Sequence, residues 1–421
     1  MQKTDSDFAA FIGIDWADRK HDLCLSTAGS DKLERSVLPH QPSCIEAWAQ
    51  SLRERFGGRK IAVCLELAQG PIVSALLEHD IFVLFPVNPA TLARYRKAFS
   101  PSGAKDDPTD AQIALDLLLR HRDKLSKLEP DSAPLRTLRR LVIVRRDLVE
   151  DRVRLTNRIT SSLKQYFPQI LGWFRDKHTA VFIDFLQRWP TLQAAQRARR
   201  KTLTDFFREH NVRYAATIER RLDAIESEQP LTNDGAIIEP FQLAVESLLS
   251  QLRAVVEAIQ RFDNLIAARA NKLPDFDLFA ALPGAGATLA PRLLAAFGER
   301  RERFPNAAAF QKFVGIAPVT ERSGNQSWVH WRFSCSTFVR QTLVEWTEQT
   351  IPTSFWAKAF YERHRAKGAS HNATVRALAF KWIRILWRCW VDRVPYDESR
   401  YLAALRKRGS PLLQFAAQNS S

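Results

Sequence analysis

Four carboxylate residues stand where a folded chain could bring them together. Asp15 follows an apolar run, 8–14, that predicts a buried strand, and Glu66 closes a second such run. Asp107 and Asp110 lie three residues apart at the start of a predicted helix. Burying a carboxylate is costly unless it is paired, hydrogen-bonded or bound to a cation. Four acids at strand ends and on one helical face could hold two divalent cations, which predicts a two-metal phosphodiester site on a DNA-handling enzyme.

These acids also have a structural interpretation. Asp107 at the N-cap, Pro108 at the first helical position and Asp110 two residues later make an ordinary helix opening. A single acid at a strand end is common as well. The joint occurrence of Asp15 and Glu66 favours the site, because two such strands in one sheet can bring their ends together.

The charge of the chain indicates a polyanionic partner. The 421 residues include 62 Lys+Arg and 46 Asp+Glu, a net charge of +16, which favours nucleic acid or an anionic membrane surface. The most apolar late segment, 378–391, is interrupted by Lys381, Arg384 and Arg388, so it cannot cross a bilayer. The N-terminus lacks a secretory pattern. We therefore expect a nucleic-acid partner, no membrane and a cytoplasmic location.

The cysteines and histidines indicate which metals to expect. The five cysteines form no CxxC pair and the nine histidines form no HxH or HxxxH cluster. This pattern suits a reducing compartment and argues against a zinc site. A metal would therefore be held by oxygen ligands, which favours Mg²⁺ or Mn²⁺.

Residues 1–128 predict an α/β domain. Strands at 11–16, 22–26 and 33–38 predict an antiparallel meander. Helices and strands then alternate, with helices at 42–55, 71–79, 90–99 and 108–120 and strands at 60–66 and 81–86. This order favours a mixed sheet with helices packed on it.

Residues 129–273 predict a helical region. Arginines are dense over 135–166, and Arg139 and Arg146 are taken as candidate phosphate contacts. Farther on, apolar residues recur in steps of three and four through Val245, Leu248, Leu252, Val255, Ile259, Phe262 and Ile266. The heptad predicts a coiled-coil seam, within the molecule or between copies, and one helix of a bundle core fits equally well. The sequence suggests no role for residues 167–240.

Residues 274–421 predict a mostly helical domain with two further candidate nucleic-acid contacts. Gly284 and Gly286 precede a helix containing Arg292, and such a turn lets backbone N–H groups approach a phosphate. A plain interhelical turn is the alternative. Basic residues also line one face of a later helix, where a solvated face is the alternative; they are Lys381, Arg384 and Arg388. Between them, residues 322–327 predict a Ser/Gly-rich loop.

The spacing of these motifs resembles the DEDD transposases of bacterial insertion sequences, the insertion-sequence 110 family. The first half of the resemblance is carried by Gly13-Ile14-Asp15, by Asn88-Pro89-Ala90 and by the run Lys105 to Ala111 around Asp107 and Asp110. Glu66 keeps the family's acid, although Leu-Ala-Gln-Gly follows where the family usually has E-x-T-G. The stretch from Gly315 to Gly324 matches the family's G-L-x-P-x-x-x-x-S-G pattern.

The resemblance implies a fold, a site and partners. The N-terminal domain would be RNase-H-like (RuvC-like), with two Mg²⁺ or Mn²⁺ held by Asp15, Glu66, Asp107 and Asp110. The C-terminal transposase domain would carry a helix-hairpin-helix element and a serine that attacks a DNA phosphate, namely Ser323, with Ser327 as the alternative. The family also implies donor and target DNA, a structured noncoding guide (bridge) RNA, a homodimer or tetramer with a composite site, and association with the bacterial nucleoid.

Two rival functions are compatible with the same residues. One is a RuvC-like Holliday-junction endonuclease that only hydrolyses DNA, with Ser323 in a structural role. The other is a non-enzymatic nucleic-acid scaffold in which the acids merely cap helices. A covalent protein–DNA adduct separates the first rival from a transposase, and dependence on a divalent cation separates the second.

Overall fold

The chain folds into two compact units, Met1–Pro130 and Asp131–Ser421. The computed structural model describes residues 7–66, 68–99, 107–330, 332 and 335–418, without the side chains at 99, 107, 108, 414 and 416–418. The boundary between the units is close to the predicted one at 128. The other predicted boundary, at 273, falls inside the second unit.

The first unit contains a five-stranded mixed sheet. Its strands are β1 (Ala10–Trp16), β2 (Lys20–Thr27), β3 (Leu33–Pro39), β4 (Ile61–Leu65) and β5 (Phe82–Pro86), in the order β3-β2-β1-β4-β5. Strands β1, β2 and β3 are antiparallel neighbours, whereas β4 is parallel to both β1 and β5. The helices are α1 (Pro42–Arg55), α2 (Pro71–Leu77), α3 (Pro89–Phe99) and α4 (Asp107–His121). The predicted meander and the mixed sheet are confirmed.

The two faces of this sheet have different cores. Because successive side chains of a strand point to opposite faces, Ile12 and Ile14 pack in the cluster that includes residues of α1 and α2. Phe11 lies in the other cluster, with Ala111 and Leu115 of α4. By the same alternation, Gly13 and the residue two positions later, Asp15, belong to the α4 face.

Helix α4 touches the sheet backbone at Gly13. A Cβ atom at this position would lie 2.0 Å from the carbonyl oxygen of Ala111 and 2.5 Å from the amide nitrogen of Leu115. No real Cβ fits at such distances, so a side chain here would push the helix away. The absence of a side chain at Gly13 therefore sets the distance between β1 and the first turns of α4.

The second unit is almost wholly helical. The helices before its β-hairpin are α5 (Ala133–Tyr166), α6 (Ile170–Trp173), α7 (Ala180–Arg188), α8 (Leu192–Gln196), α9 (Arg200–Glu209), α10 (Ala215–Ser227), α11 (Gly235–Ala270), α12 (Phe276–Ala280), α13 (Gly286–Phe297) and α14 (Ala307–Val314). The hairpin is β6 (Val319–Ser323) and β7 (Gln326–His330). After it come α15 (Thr337–Thr350), α16 (Phe355–Ala366), α17 (His371–Asp392), α18 (Glu398–Lys407) and α19 (Pro411–Gln418). No helix in the described ranges is long and apolar enough to span a membrane.

The longest helices, α5 and α11, form an antiparallel pair. Val142 clusters with Ile266 near one end, and Ile159 clusters with Leu252 near the other. Arg145 also forms an ion pair with Asp263. The apolar seam predicted on α11 is therefore buried against α5 within the chain, and its supercoil geometry stays a prediction.

Each end of this pair belongs to a different core. One core joins it to α12–α19 and contains the buried rings of Trp346, Trp356 and Trp382. The other joins it to α6–α10 around Phe174 and Phe185. Residues 129–273 therefore contribute to both cores, and residues 167–240, which had no predicted role, build the second.

We expect Gly13→Ala to destabilise the first unit. The added methyl group collides with the backbone of α4, and overpacking of this kind costs about 1–3 kcal/mol. Thermal unfolding followed by circular dichroism should show a lower midpoint. Gly172→Ala is the control, because nothing lies within 4 Å of a Cβ there and φ is not positive. Equal midpoints for the two variants would contradict the close approach.

Candidate active site

Asp15 and Glu66 lie at the same edge of the sheet. Parallel pairing of β1 with β4 runs to Ile14 and Leu65. Asp15 is the next residue of β1, and Glu66 directly follows β4. The negative charge of Glu66 helps to raise the pKa of the Cys64 thiol to about 12, after the larger effect of burial. Cys64 belongs to the cluster on the α4 face. The Glu66 carboxylate is therefore near this face, on which Asp15 also lies by strand alternation.

Asp110 reaches this region from the first turn of α4. Its neighbour Ala111 is the residue that contacts Gly13, two positions before Asp15. Asp110 itself is buried, at 3% exposure. The backbone of Asp107 begins α4, but its side chain lies outside the described part. Three of the four predicted carboxylate residues thus belong to one end of one sheet face.

The charge of Asp110 is compensated by Arg96 of α3. Arg96 Nη2 lies 2.6 Å from Asp110 Oδ1. Asp110 Oδ1 is buried and has no hydrogen-bond partner among the described residues, so the contact with Arg96 is an ion pair without hydrogen-bond geometry. A buried carboxylate needs such a cation nearby. Nothing in the sequence pattern singled out Arg96.

A further acid, Asp22, was not among the predicted site residues. It stands directly opposite Asp15 in the β1–β2 ladder and is 8% exposed. Directly opposed residues share a face, and like charges so placed are destabilising. Two acids therefore stand side by side at this edge of the sheet. Strand alternation across the turn between β1 and β2 could have identified Asp22.

The described side chains do not by themselves form a metal site. Among them, no three His, Cys, Asp or Glu side chains are grouped so that they could hold a metal ion. The predicted set of Asp15, Glu66, Asp107 and Asp110 includes one side chain outside the described residues. The four-carboxylate site therefore stays a prediction that the backbone arrangement supports.

The predicted loop at 322–327 is wrong, because these residues belong to the β6–β7 hairpin. Ser323 ends β6 and pairs with Gln326 across a two-residue turn. Gly324 has φ of +56° in that turn, a backbone conformation that glycine adopts without strain. Ser323 is consequently exposed beside the hairpin tip.

The hairpin separates its two serines. Ser323 pairs with Gln326 and Ser327 pairs with Arg322, so alternation places the serines on opposite faces. His330 lies four positions beyond Gln326, roughly 13 Å along the strand. It contacts Glu321 at 2.8 Å. His330 is therefore too far along β7 to act as the base for Ser323.

The glycine turn before α13 packs against α15. A Cβ on Gly284, whose φ is +69°, would lie 2.4 Å from the carbonyl oxygen of Gln349. Trp346 donates from Nε1 to the carbonyl oxygen of Pro283 at 3.0 Å. Only Gly286, at the start of α13, has open space where its Cβ would be. The turn exists as predicted, and only its Gly286 side is open to a ligand.

Two predicted phosphate contacts share an internal acid. Arg292 is 4% exposed, lies 2.6 Å from Glu345 and donates to the Thr342 hydroxyl at 3.2 Å. Burial is the main cause that lowers its pKa. Arg146 pairs with the same Glu345 at 2.7 Å. These positions favour structural roles and do not support phosphate contacts.

Arg139 is engaged in the same way. It pairs with Asp131 at 2.7 Å and donates from Nε to the carbonyl oxygen of Ala295 at 3.0 Å. Its guanidinium ties the start of α5 to α13. A phosphate role for Arg139 is likewise not supported by its position.

The predicted basic face of α17 borders a cavity. Lys381, Arg384 and Arg388 line a cavity of about 810 Å³ together with Arg400 and Arg408. Lys381 lies over two aromatic rings, at 5.7 Å from Trp356 and 5.0 Å from Phe360. Burial, and then Arg363 and Arg384, lower its pKa. Arg388 pairs with Asp392 at 2.6 Å. A basic surface is therefore present.

Comparison with known proteins adds independent findings. A family model for DEDD transposases of the IS110 type matches residues 12–168, and a model of the IS116/IS110/IS902 transposase family matches residues 277–362. The chain is 28% identical over 420 residues to a protein of Streptomyces coelicolor named as the mini-circle transposase for IS117, covering 98% of this chain and 100% of that one. It is 26% identical to a 43.6 kDa protein of insertion element IS110 from the same organism, covering 93% and 96%.

Arg96→Gln should lower stability in a way that a divalent cation offsets. Removing one partner of a buried ion pair costs about 3–5 kcal/mol, and a bound cation would restore part of it. Thermal unfolding with and without Mg²⁺ should show a larger Mg²⁺ effect than in the wild type. Arg94→Gln, at an exposed position of the same helix, is the control. A midpoint that is lowered but indifferent to Mg²⁺ would argue against cation binding at Asp110.

Proposed function

Because this chain belongs to the IS110-type insertion-sequence transposases, we propose that its carboxylates and one serine together cut and rejoin DNA strands. The observation that carries the proposal is the common location of Asp15, Glu66 and Asp110 at one end of the α4 face. The mixed five-stranded sheet is consistent with the RNase-H-like fold that the sequence implies.

We propose that Asp15, Glu66, Asp107 and Asp110 hold two Mg²⁺ or Mn²⁺ ions. Carboxylate oxygens are the preferred ligands of these cations. The local arrangement supports this, because Asp15 faces a second acid, Asp22, and Asp110 Oδ1, which lies 2.6 Å from Arg96, has no hydrogen-bond partner among the described residues. When bound, two such ions stabilise the charge on the attacking and leaving oxygens of a phosphodiester.

In this proposal Ser323 is the nucleophile. Its Oγ gives up its proton and forms a bond to a DNA phosphorus, the bond from that phosphorus to one strand oxygen breaks, and the leaving oxygen takes up a proton. A serine hydroxyl needs a base or a metal to activate it, and His330 is too far along the hairpin to serve. Activation from another site therefore favours a composite site in a homodimer or tetramer.

A structured guide RNA is the proposed second partner. The basic cavity beside α17 suits phosphates of either DNA or RNA. The choice of RNA comes from the family resemblance alone. Recovery of a discrete RNA with the purified protein would support it, and sequence-specific recombination by protein free of RNA would remove it.

The alternative function is a RuvC-like Holliday-junction endonuclease. The observation that favours it is the roughly 13 Å offset along the strand between the His330 and Gln326 positions, which places the histidine of the hairpin too far from Ser323 to serve as its base. In that case water replaces Ser323 as the attacking group, and no covalent protein–DNA adduct forms.

Asp15→Asn should abolish strand cleavage while DNA binding is kept. Loss of one carboxylate removes several kcal/mol of transition-state stabilisation, on the order of a thousandfold in rate. Cleavage of donor-end DNA in Mg²⁺ and affinity by gel shift are measured in parallel. Asp18→Asn, at an exposed position just after β1, should cleave normally. Wild-type cleavage by Asp15→Asn would refute the carboxylate site.

Ser323→Ala should eliminate a covalent protein–DNA adduct, whereas Ser327→Ala should retain it. The two serines lie on opposite faces of one hairpin, so each variant is the structural control of the other. The adduct is detected as labelled DNA that stays with the denatured protein, and its position is mapped by mass spectrometry. An adduct that survives Ser323→Ala but not Ser327→Ala would reassign the nucleophile, and no adduct in the wild type would favour the endonuclease.

A further inference from the structure

A cavity of about 480 Å³, here called the arginine cavity, lies at the base of the β6–β7 hairpin. Ile316, Pro318 and Phe380 contribute an apolar wall, and Arg332 and Arg376 contribute a basic one. Sites for small organic ligands have volumes of about 300–1,000 Å³. The arginine cavity is therefore large enough for a whole nucleotide.

Three arginines concentrate positive charge beside this cavity. Arg340 of α15 donates from Nη1 to the carbonyl oxygen of Arg332 at 3.4 Å. Burial, and second the charge of Arg340, lower the pKa of Arg376. The like charges of Arg340 and Arg376 repel each other, and both would attract an anion bound beside them.

Arg332 also has unused hydrogen-bonding capacity. Its Nε is buried and has no hydrogen-bond partner among the described residues, and a buried polar group in that state is costly. The acid of the hairpin, Glu321, contacts His330 at 2.8 Å. A phosphate oxygen in the arginine cavity would supply the missing acceptor.

We propose that the arginine cavity holds one nucleotide of a single-stranded nucleic acid. The phosphodiester lies against Arg332, Arg340 and Arg376, because guanidinium groups bind phosphate oxygens through paired hydrogen bonds. The base lies against the exposed ring of Phe380, since every base can stack on an aromatic side chain. Recognition of this kind is independent of base sequence.

The inference rests on the proposed function only for its substrate class. Val319, at the cavity end of β6, is four residues from Ser323, or roughly 13 Å along the strand. A strand joined to Ser323 and running along the hairpin would reach the arginine cavity within a few nucleotides, so the cavity would hold that strand in line.

The first test measures binding by the full chain carrying Ser323→Ala, so that no adduct forms. Fluorescence anisotropy follows a labelled oligonucleotide of about 12 residues, as DNA and as RNA of the same sequence, over a range of salt. Arg332→Gln should weaken binding several-fold and reduce the salt slope by about 0.7, the value for one phosphate of a single strand. Arg261→Gln, at an exposed position on α11, also removes one positive charge and should change neither the affinity nor the salt slope.

The second test changes the cavity without changing charge. Phe380→Leu should weaken binding by about tenfold with the salt slope preserved, because only stacking is lost. Ala373→Phe fills the cavity from an exposed position on α17, so it should fold normally and also weaken binding. If the variants bind both the DNA and the RNA oligonucleotide more weakly, the cavity is a general phosphodiester site. If only one of the two affinities falls, that nucleic acid is the occupant of the cavity. Affinities equal to those of Arg261→Gln would overturn the inference.

These results are separable from those on the serine. If the cavity variants bind normally while Ser323→Ala eliminates the adduct, the nucleotide site fails and the proposed function stands. If the cavity variants weaken binding while the wild type forms no adduct, the site stands and the nucleophile fails.

Discussion

The contact between α4 and the backbone of β1 at Gly13 is the constraint on which the candidate site depends. A methyl group there would lie 2.0 Å from the Ala111 carbonyl oxygen, so the helix can reach the sheet only across a residue without a side chain. That approach brings the first turn of α4, and with it Asp110, to the strand end that carries Asp15. Glu66 arrives at the same edge through parallel pairing of β4. One backbone contact and one strand pairing thus place three acids that are far apart in sequence toward the same end of one sheet face.

The acids at this edge differ in their surroundings. Asp15 faces another acid, Asp22, across the ladder, whereas Asp110 has Arg96 at 2.6 Å. A cation shared by these carboxylates would have to compete with Arg96 at one of them. Arginines are also paired with acids of the same chain in the helical unit, where Arg139, Arg146 and Arg292 form such ion pairs. The large net charge of the chain therefore overstates the number of arginines open to a nucleic acid.

The helical unit combines a rigid frame with a small exposed element. The antiparallel pair of α5 and α11 joins two aromatic-rich cores, and the hairpin projects with most of its residues exposed. A two-stranded hairpin is marginally stable alone, so its base, where β6 and β7 meet α17 around the arginine cavity, is where its position is set. Binding of a strand there would connect the frame to the serine at the tip.

The sequence by itself determined the strands and helices of the first unit, because periodicity and turn residues are local signals. It also predicted the apolar seam of α11 and supplied the candidate carboxylates and serines, since residue type and spacing are enough to nominate them. It mistook the hairpin for a loop, because few of the hairpin's residues are buried and no apolar alternation marks the strands. Only the tertiary structure decided that Arg292 is internal, that Arg96 and Asp22 adjoin the acids, and that Ser323 and Ser327 face opposite ways. Those outcomes depend on which distant residues become neighbours, and no local pattern encodes the charge and space that a neighbour provides.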